Sequence, residues 1–382
     1  MQKYDTAFII WDINLRGGTE ILTKNLMKSL NSIGYQCCII SIVPYKGKEK
    51  NIFSLSTLEH ELLISKTSKF KQLVSGGTYQ NKVLQNLIKN YAELLGIRTI
   101  ICQTYDIASA LPFNQSIRVF QVLNWSIYGY ESALLKKINN KSALSRHISK
   151  RLFVSQNRRC QEALKRVDGL IVLTTSAANE VSQLADADKI QIIGNPIMHS
   201  SDSQVVSTGK NKSLVFVGRF SEEKGVFKLL RIWKMISQQL PEYSLKMYGE
   251  GPLQSKIQEE IENQELTNIT LEGFSTDEAA IYANADLLLM TSETESFGMV
   301  LPEAMYYGVP VIAFDCPVSP KEVIANCGIL IPCFDEKLYA EQTISVLKNR
   351  EEWCILHNRA IARSRDFHIS NIIKRWETIC HL

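Results

Sequence analysis

The sequence predicts an α/β chain built from two parallel-sheet domains, and three observations predict it. Short apolar runs of strand length alternate with amphipathic helical stretches along nearly the whole chain, a pattern that yields parallel strands joined by right-handed crossovers. A polar break, Asn195-Pro196 followed by Ser200 to Lys212, interrupts this alternation midway and reads as a linker. At 382 residues the chain also exceeds a single average core.

In the first half, strands are expected at Thr6–Trp11, Gln36–Val43, Thr99–Gln103, Arg118–Leu123 and Gly169–Thr174, with a shorter one at Lys189–Ile193. Helical periodicity falls between them at Thr19–Ile33 and Gln80–Leu95. The second array starts at Ser213 and continues to about Ala362. It opens with the apolar run Leu214 to Val217, a helix from Val226 to about Gln239, and a strand over Leu245–Tyr248. Ala285–Thr291 is a further buried strand, and Ser370–Cys380 a terminal amphipathic helix. No short repeat or low-complexity segment interrupts the pattern.

Composition narrows the class. The hydrophobic share of 45% is ordinary for a soluble globular protein, and no apolar run is long enough to span a bilayer. Nine cysteines are scattered without a CxxC pair, and the N-terminus runs straight into a strand with no visible signal peptide. Reduced thiols in the cytoplasm are therefore expected. Charge is unevenly divided: residues 1–190 hold 25 Lys plus Arg against 14 Asp plus Glu, the remainder 18 against 25. The sharpest basic stretch, Lys136 to Arg166, carries ten cations and one acid, Glu162, interleaved with Leu134, Leu135, Ile138, Leu144, Ile148, Leu152 and Phe153. Such a segment fits either an anionic membrane surface or a solvated helical face. Nothing in the chain reads as a module for reading bases, so nucleic acid is not expected as a partner.

Chemistry concentrates on three loops. Glu295-Ser296-Phe297-Gly298-Met299-Val300-Leu301-Pro302-Glu303 follows a strand and opens a helix that Gly308-Val309-Pro310 ends. Amides near Phe297, Gly298 and Met299 would point out of the helix start toward an anion. Glu295 and Glu303 on either side suit hydroxyl groups, although acids there also simply favour the helix dipole. Gly218-Arg219 ends the first strand of the second array, with Lys224 on the same strand-to-helix loop. Two cations on that edge suit a diphosphate. Gly249-Glu250-Gly251 follows the next strand and permits close backbone approach. A nucleotide sugar matches these three loops together.

In this order and spacing the motifs resemble the large retaining glycosyltransferase family usually numbered four, across nearly the whole chain. The residues that carry the resemblance are Gly17-Gly18, Gly218-Arg219 with Lys224, Gly249-Glu250-Gly251, Gly273-Phe274, and Glu295 with Glu303. The resemblance implies the GT-B fold: two Rossmann-like domains facing a central cleft, with the C-terminal helix crossing back to the first. The domains would then be 1–195, joined by 366–382, and 196–365. It implies that Arg219 and Lys224 bind the donor diphosphate and stabilise its departing charge. Glu295 would hold the transferred sugar, Glu303 the ribose, and Gly273 and Phe274 the base. Phe297, Gly298 and Met299 would support sugar and phosphates, and Gly17 and Gly18 would approach the diphosphate from the other domain. With these cations present, no metal and no cofactor is expected. Asp186-Ala187-Asp188 superficially matches a metal-binding D-x-D, but it lies in a polar turn before a strand and is set aside.

One position departs from the pattern. Many relatives carry a His after the fourth strand of the first domain, where this chain reads Val122-Leu123-Asn124-Trp125. None of His60, His147, His199, His357, His368 and His381 stands at a first-domain strand end. Asn124 can bond a sugar hydroxyl but cannot act as acid or base. Trp125, Tyr128 and Tyr130 are stacking or core candidates, and Gln103, Tyr105 and Asp106 are further acceptor-side candidates. Asp315-Cys316-Pro317-Val318-Ser319-Pro320-Lys321-Glu322-Val323-Ile324 resembles the Asp-Cys-x-x-Gly-Pro-x-Glu-Ile-Ile segment of bacterial surface-polysaccharide transferases, with Ser319 where Gly is usual. The function implied is transfer of a hexose or N-acetylhexosamine from a UDP-sugar to a growing, lipid-linked surface glycan, at the cytoplasmic face of the plasma membrane. The competing reading is an inactive GT-B partner of another transferase, which would be expected to have lost part of the set Arg219, Lys224, Glu295 and Glu303.

Overall fold

A computed structural model of the chain describes residues 3–15, 17–56, 59, 78–127, 143–198 and 206–380, without the side chains of 78–80 and 143–148. Tyr128, Tyr130, His60, His199, His381, residues 136–142 of the basic stretch and 200–205 of the linker lie outside the described residues. The chain divides into two compact units, Met1–Gly194 with Ile372–Leu382, and Asn195–Asn371.

The first unit holds strands β1 (Thr6–Ile10), β2 (Cys37–Ser41), β3 (Ile52–Ser54), β4 (Thr99–Cys102), β5 (Arg118–Leu123), β6 (Gly169–Val172) and β7 (Ile190–Ile192). They form one parallel sheet in the order β3-β2-β1-β4-β5-β6-β7. Its helices are α1 (Gly18–Ser32), α2 (Thr78–Leu95), α3 (Ala143–Leu164) and α4 (Thr175–Val181). Every residue of β1, β2, β4 and β6 is buried. Such continuous burial is the mark of a parallel strand covered on both faces, and explains why these segments read as apolar runs without alternation. The short edge strand β3 was not expected. Three residues in a polar stretch offer no period to read, and their pairing with Ile39–Ser41 of β2 makes them a strand.

The second unit holds β8 (Ser213–Val217), β9 (Ser244–Tyr248), β10 (Ile269–Gly273), β11 (Leu287–Met290), β12 (Val311–Phe314) and β13 (Gly328–Ile331). These are parallel in the order β10-β9-β8-β11-β12-β13. The helices are α5 (Val226–Gln239), α6 (Gln254–Asn263), α7 (Glu278–Tyr282), α8 (Val300–Tyr306), α9 (Pro320–Ile324), α10 (Glu336–Lys348) and α11 (Arg350–Ser364), and the terminal helix α12 (Ile369–Cys380) starts here and passes to the first unit at Ile372. Strand order reverses between β1 and β4 in one sheet and between β8 and β11 in the other. Ligands of open parallel sheets sit outside the carboxyl ends of the strands at such reversals.

Helix α5 follows β8 and buries Val226, Leu229, Leu230, Ile232, Trp233 and Ile236, the three-and-four spacing of one helical face. Trp233 is fully buried, and its indole N–H donates to the Thr267 carbonyl at 2.9 Å. Trp233→Ala should therefore lower stability by about 3–5 kcal/mol, read as a shifted denaturant midpoint. A shift of under about 1 kcal/mol would mean that this core collapses around the cavity.

The terminal segment divides later than the expected residue 366. Ile197 N donates to the Phe367 carbonyl at 2.8 Å and Ile369 N to the Ile197 carbonyl at 3.1 Å. Phe367 also packs edge-on against Phe297 at 5.7 Å between ring centroids. These contacts keep residues 366–371 with the second unit. From Ile372 the helix belongs to the first: Arg118 Nη2 donates to the Ile379 carbonyl at 2.8 Å, and Trp376 lies 6.1 Å from the ring of Phe8. The first unit ends at Gly194, so Asn195, expected with it, lies in the second.

Candidate active site

Loops after β8, β9, β10 and β11 make one fabric at the carboxyl edge of the second sheet. Gly218 N donates to the Tyr248 carbonyl (3.0 Å), Phe220 N to the Glu250 carbonyl (2.9 Å), and Gly249 N to the Gly273 carbonyl (2.8 Å). On the other side Glu293 N donates to the Glu223 carbonyl (2.8 Å), and Thr291 Oγ1 to the Lys224 carbonyl (3.0 Å). Glycine is required where these loops touch. Gly225 has φ +64°, and a Cβ there would stand 2.0 Å from the Thr291 carbonyl oxygen. Gly249 has φ +142°, and a Cβ would stand 2.0 Å from the Gly218 carbonyl oxygen. The three glycine loops read from the sequence are thus one assembly.

Lys224 closes a short 3₁₀ turn, Glu222–Lys224, just before α5. Its Nζ pairs with Glu295 Oε1 at 2.5 Å, across 71 residues of sequence. The Glu295 side chain is only 10% exposed, and the same oxygen accepts from Ser292 Oγ at 2.7 Å. One turn along α5, Lys228 pairs with Glu293. Arg219 is different: it is exposed, and its guanidinium makes no hydrogen bond or ion pair among the described residues. Thus one cation of the pair is held by a carboxylate and the other faces solvent, on a loop four residues long from one to the other.

The stretch Phe297-Gly298-Met299 precedes the seven-residue helix α8. The first turn closes with Leu301 N to the Gly298 carbonyl (2.9 Å) and Glu303 N to the Met299 carbonyl (3.2 Å). Among the described residues the N–H groups of 297–299 find no acceptor, as the orphan donors of a helix start do. Buried Ser319 donates its hydroxyl to the Phe297 carbonyl at 2.6 Å, and Glu295 bridges Val318 through the backbone. Ser319, in the place where glycine is usual, therefore pins the loop that carries these amides.

Glu303 lies in the first turn of α8, and Tyr282 at the end of α7 donates its hydroxyl to Glu303 Oε2 at 3.2 Å. Burial, and then the negative charge of Glu278, push the Glu303 carboxyl up to about 8, against the opposing hydrogen bond from Tyr282. Tyr282 is itself fully buried and stacks on Tyr307 at 5.7 Å. The sequence did not single out Tyr282, Glu278 or Ser292. Tyr282 meets Glu303 only through the fold, across 21 residues, whereas Ser292 stands three residues before Glu295, a local Ser-x-x-Glu spacing that could have found it. Gly273 ends β10 with φ +76° and open space where a Cβ would point, and Phe274 beside it is 42% exposed. Gly251 packs on the Phe220 backbone.

In the first unit Gly17 caps α1, the helix that follows β1, and Gly18 opens it. Gln103 and Asn124 follow β4 and β5, and Asn124 Nδ2 donates to Gln103 Oε1 at 2.9 Å and to the Gln103 carbonyl at 3.1 Å. Asn124 thus stands after the fifth strand in chain order, because β3 intervenes. Trp125 is 59% exposed. Tyr105 instead gives its hydroxyl to Asn157 of α3 at 2.8 Å, and Asp106 lies exposed in the same short turn. Asp186 pairs with Lys189 at 3.4 Å, within the turn that leads to β7. Among the described residues no helix is long and apolar enough to cross a membrane.

Residues 200–366 match the family model described as Glycosyl transferases group 1, which places all of Arg219, Lys224, Glu295 and Glu303 inside the matched segment. The chain is 23% identical to an uncharacterized glycosyltransferase of Haemophilus influenzae, over 98% of this chain and 99% of that one. It is 27% identical to the amylovoran biosynthesis glycosyltransferase AmsD of Erwinia amylovora, over 55% of this chain and 61% of the relative. Among solved structures, a variant of TarM from S. aureus, in complex with fondaparinux, α-GlcNAc-glycerol and UDP, superposes with a TM-score of 0.75 at 14% identity, covering 100% of both chains. The fold is GT-B, two Rossmann-like parallel-sheet domains. Family match and relatives together support a glycosyltransferase.

Proposed function

We propose that the chain is a retaining glycosyltransferase of family four that moves a hexose or N-acetylhexosamine from a UDP-sugar to a growing surface glycan on a lipid carrier. The observation that carries this reading is the Lys224–Glu295 pair beside exposed Arg219, at the β8/β11 reversal of strand order. A diphosphate entering there meets Arg219 in forked geometry and Lys224 as a point charge. Lys224 turns partly from Glu295 to the phosphate, and Glu295 becomes an acceptor for hydroxyls of the transferred sugar. Glu303 takes the ribose hydroxyls, Phe274 borders the base, and the amides of 297–299 support sugar and phosphate.

As the sugar–phosphate bond breaks, negative charge grows on the leaving oxygen, where the two cations stabilise it. That oxygen takes the acceptor's proton on the same face, which retains configuration and requires no dedicated protein base. Because the cations do the work a divalent ion does elsewhere, activity is expected to persist in a chelator. The acceptor approaches Gln103, Asn124 and Trp125 in the first unit. A relative named for amylovoran biosynthesis supports a polysaccharide acceptor. The exposed stripe Lys150, Arg151, Val154 and Arg158 on α3 supports placement on an anionic membrane, at its cytoplasmic face.

A thermal-shift panel of UDP-, GDP- and ADP-sugars, each with and without EDTA, tests the reading. At saturating concentration one UDP-sugar should raise the melting temperature by roughly 3–10 °C, because a ligand at 100 times its Kd adds about 2.7 kcal/mol. EDTA should leave that shift unchanged. No shift with any nucleotide sugar would overturn the assignment, and a shift abolished by EDTA would overturn metal independence.

A further inference from the structure

The loops after β8 and β11 hold more negative than positive charge, although a diphosphate is proposed to enter there. Residues 218–225 and 291–299 carry four acids, Glu222, Glu223, Glu293 and Glu295, against two cations, Arg219 and Lys224. Glu222 faces solvent, where salt screens it, and Glu295 has Lys224. Burial would raise the Glu223 carboxyl, but a hydrogen bond from Ser221, its own backbone N–H and the charges of Lys224 and Arg219 bring it below its ordinary value. The two loop cations thus already serve Glu223 and Glu295. Glu293 is left over, two residues from Glu295, a step of about 7 Å along an extended backbone. At that range an uncompensated carboxylate still repels an anion.

Lys228, in the first turn of α5, supplies the missing charge. Its ammonium donates to Glu293, and the two side chains are 19% and 31% exposed. Neither the helix nor stability accounts for this lysine. A cation in a first turn opposes the helix dipole, and ion pairs this exposed add little to stability. The ammonium is nonetheless held in place. It lies 4.7 Å from the centre of the Phe334 ring, a contact that favours a cation, and that ring packs edge-on against Phe314 at 5.3 Å. Arg231, three residues along, is committed elsewhere, to a forked pair with Glu336 at 2.8 and 2.5 Å. Glu293 N donates to the Glu223 carbonyl at 2.8 Å, so the backbone that carries Glu293 is tied to the loop that carries Lys224.

We propose that Lys228 is a positioning residue for the donor site: it neutralises Glu293 and holds that carboxylate on the α5 side, away from the diphosphate. Lys224 is then free to turn to phosphate and Glu295 to the sugar. Lys228 itself touches no substrate and acts through Glu293. This rests on the transferase reading, since only an anionic donor on this edge makes the Glu293 charge unfavourable.

Calorimetric titration of the full chain tests it, with a UDP-sugar and with inorganic pyrophosphate as the bare anion. The two single substitutions should act with opposite sign. Lys228→Met should weaken both ligands roughly 5–20-fold, whereas Glu293→Gln should tighten them about 2–5-fold. The double variant should return to within about twofold of wild type, and Lys228→Arg should recover most of the loss. At 1 M salt, where the screening length is about 3 Å, all these differences should shrink. A pair that only braces the fold gives two losses of the same sign that salt does not remove, and that result overturns the proposal. If the wild type binds the UDP-sugar and both single variants bind it equally well, the positioning role alone falls. If pyrophosphate responds as stated and no UDP-sugar binds, the positioning role stands and the transferase reading falls. If the wild type binds neither ligand, both fall.

Discussion

Lys224→Ala is expected to cut turnover by roughly 10²–10³-fold, the effect of removing one preorganised stabiliser of developing charge, about 2.7–4 kcal/mol. The loss should fall mainly on kcat, because charge on the leaving phosphate grows as the bond breaks. On the proposed reading Arg219 would still hold the diphosphate, so donor affinity should fall less. The ion pair adds a second consequence. Without Lys224, the part-buried Glu295 keeps, among the described residues, the Ser292 hydroxyl alone as a side-chain partner, so some loss of melting temperature is expected as well. Glu295→Gln separates the two effects: it removes the charge that Lys224 offsets and keeps the lysine for phosphate. A double-mutant cycle of Lys224→Ala with Glu295→Gln should be non-additive in both rate and stability. Turnover within a few-fold of normal in a folded Lys224→Ala protein would remove Lys224 from the phosphate site.

Glu303→Gln is expected to change how donor binding depends on pH. Burial and the charge of Glu278 raise the Glu303 carboxyl to about 8, so the folded protein favours its neutral form. Stability from this preference is full below the unfolded value near 4.5, and is lost as pH rises from there through about 8. An ionised carboxylate is the better acceptor for two ribose hydroxyls, so nucleotide binding should release a proton below pH 8. Affinity for the UDP-sugar should then rise with pH from about 6 to 8 and level off above, by up to tenfold per unit in the steepest part. A glutamine amide cannot ionise, so the variant should bind more weakly, with a flat profile. Its stability relative to wild type should improve between pH 5 and 8. Calorimetry in buffers of different ionisation enthalpy reads the proton directly. A wild-type affinity that does not vary over this range would sink the ribose role for an ionised Glu303.

Much of this was legible in the residues themselves. Parallel strands buried on both faces appear as apolar runs, so β1, β2, β4, β5, β8 and β9 could be placed to within a residue or two. Helix α5 was bounded at Val226 by the loop that ends in Gly225 and at Gln239 by the end of its apolar spacing. The short strand β3 escaped because its stability comes from β2, not from its own pattern. The boundary near residue 366 moved because Phe367 and Ile369 bond to Ile197, a pairing across 170 residues that no local rule anticipates.

By itself the sequence determined the class of fold and where glycines and charges fall on the loops at the strand ends. Both are local matters, set by hydrophobic period, by glycines at strand ends and by charges on the loops that follow. Only the tertiary structure decided how those charges meet. Lys224 neutralises Glu295 while Arg219 stays open to solvent. Burial and the charge of Glu278 raise the proton affinity of Glu303 against the hydrogen bond from Tyr282, which its own neighbours in sequence do not imply. The physical reason is common to both. Burial and through-space charge depend on distance in the folded chain, and strand order in a doubly wound sheet brings distant segments together.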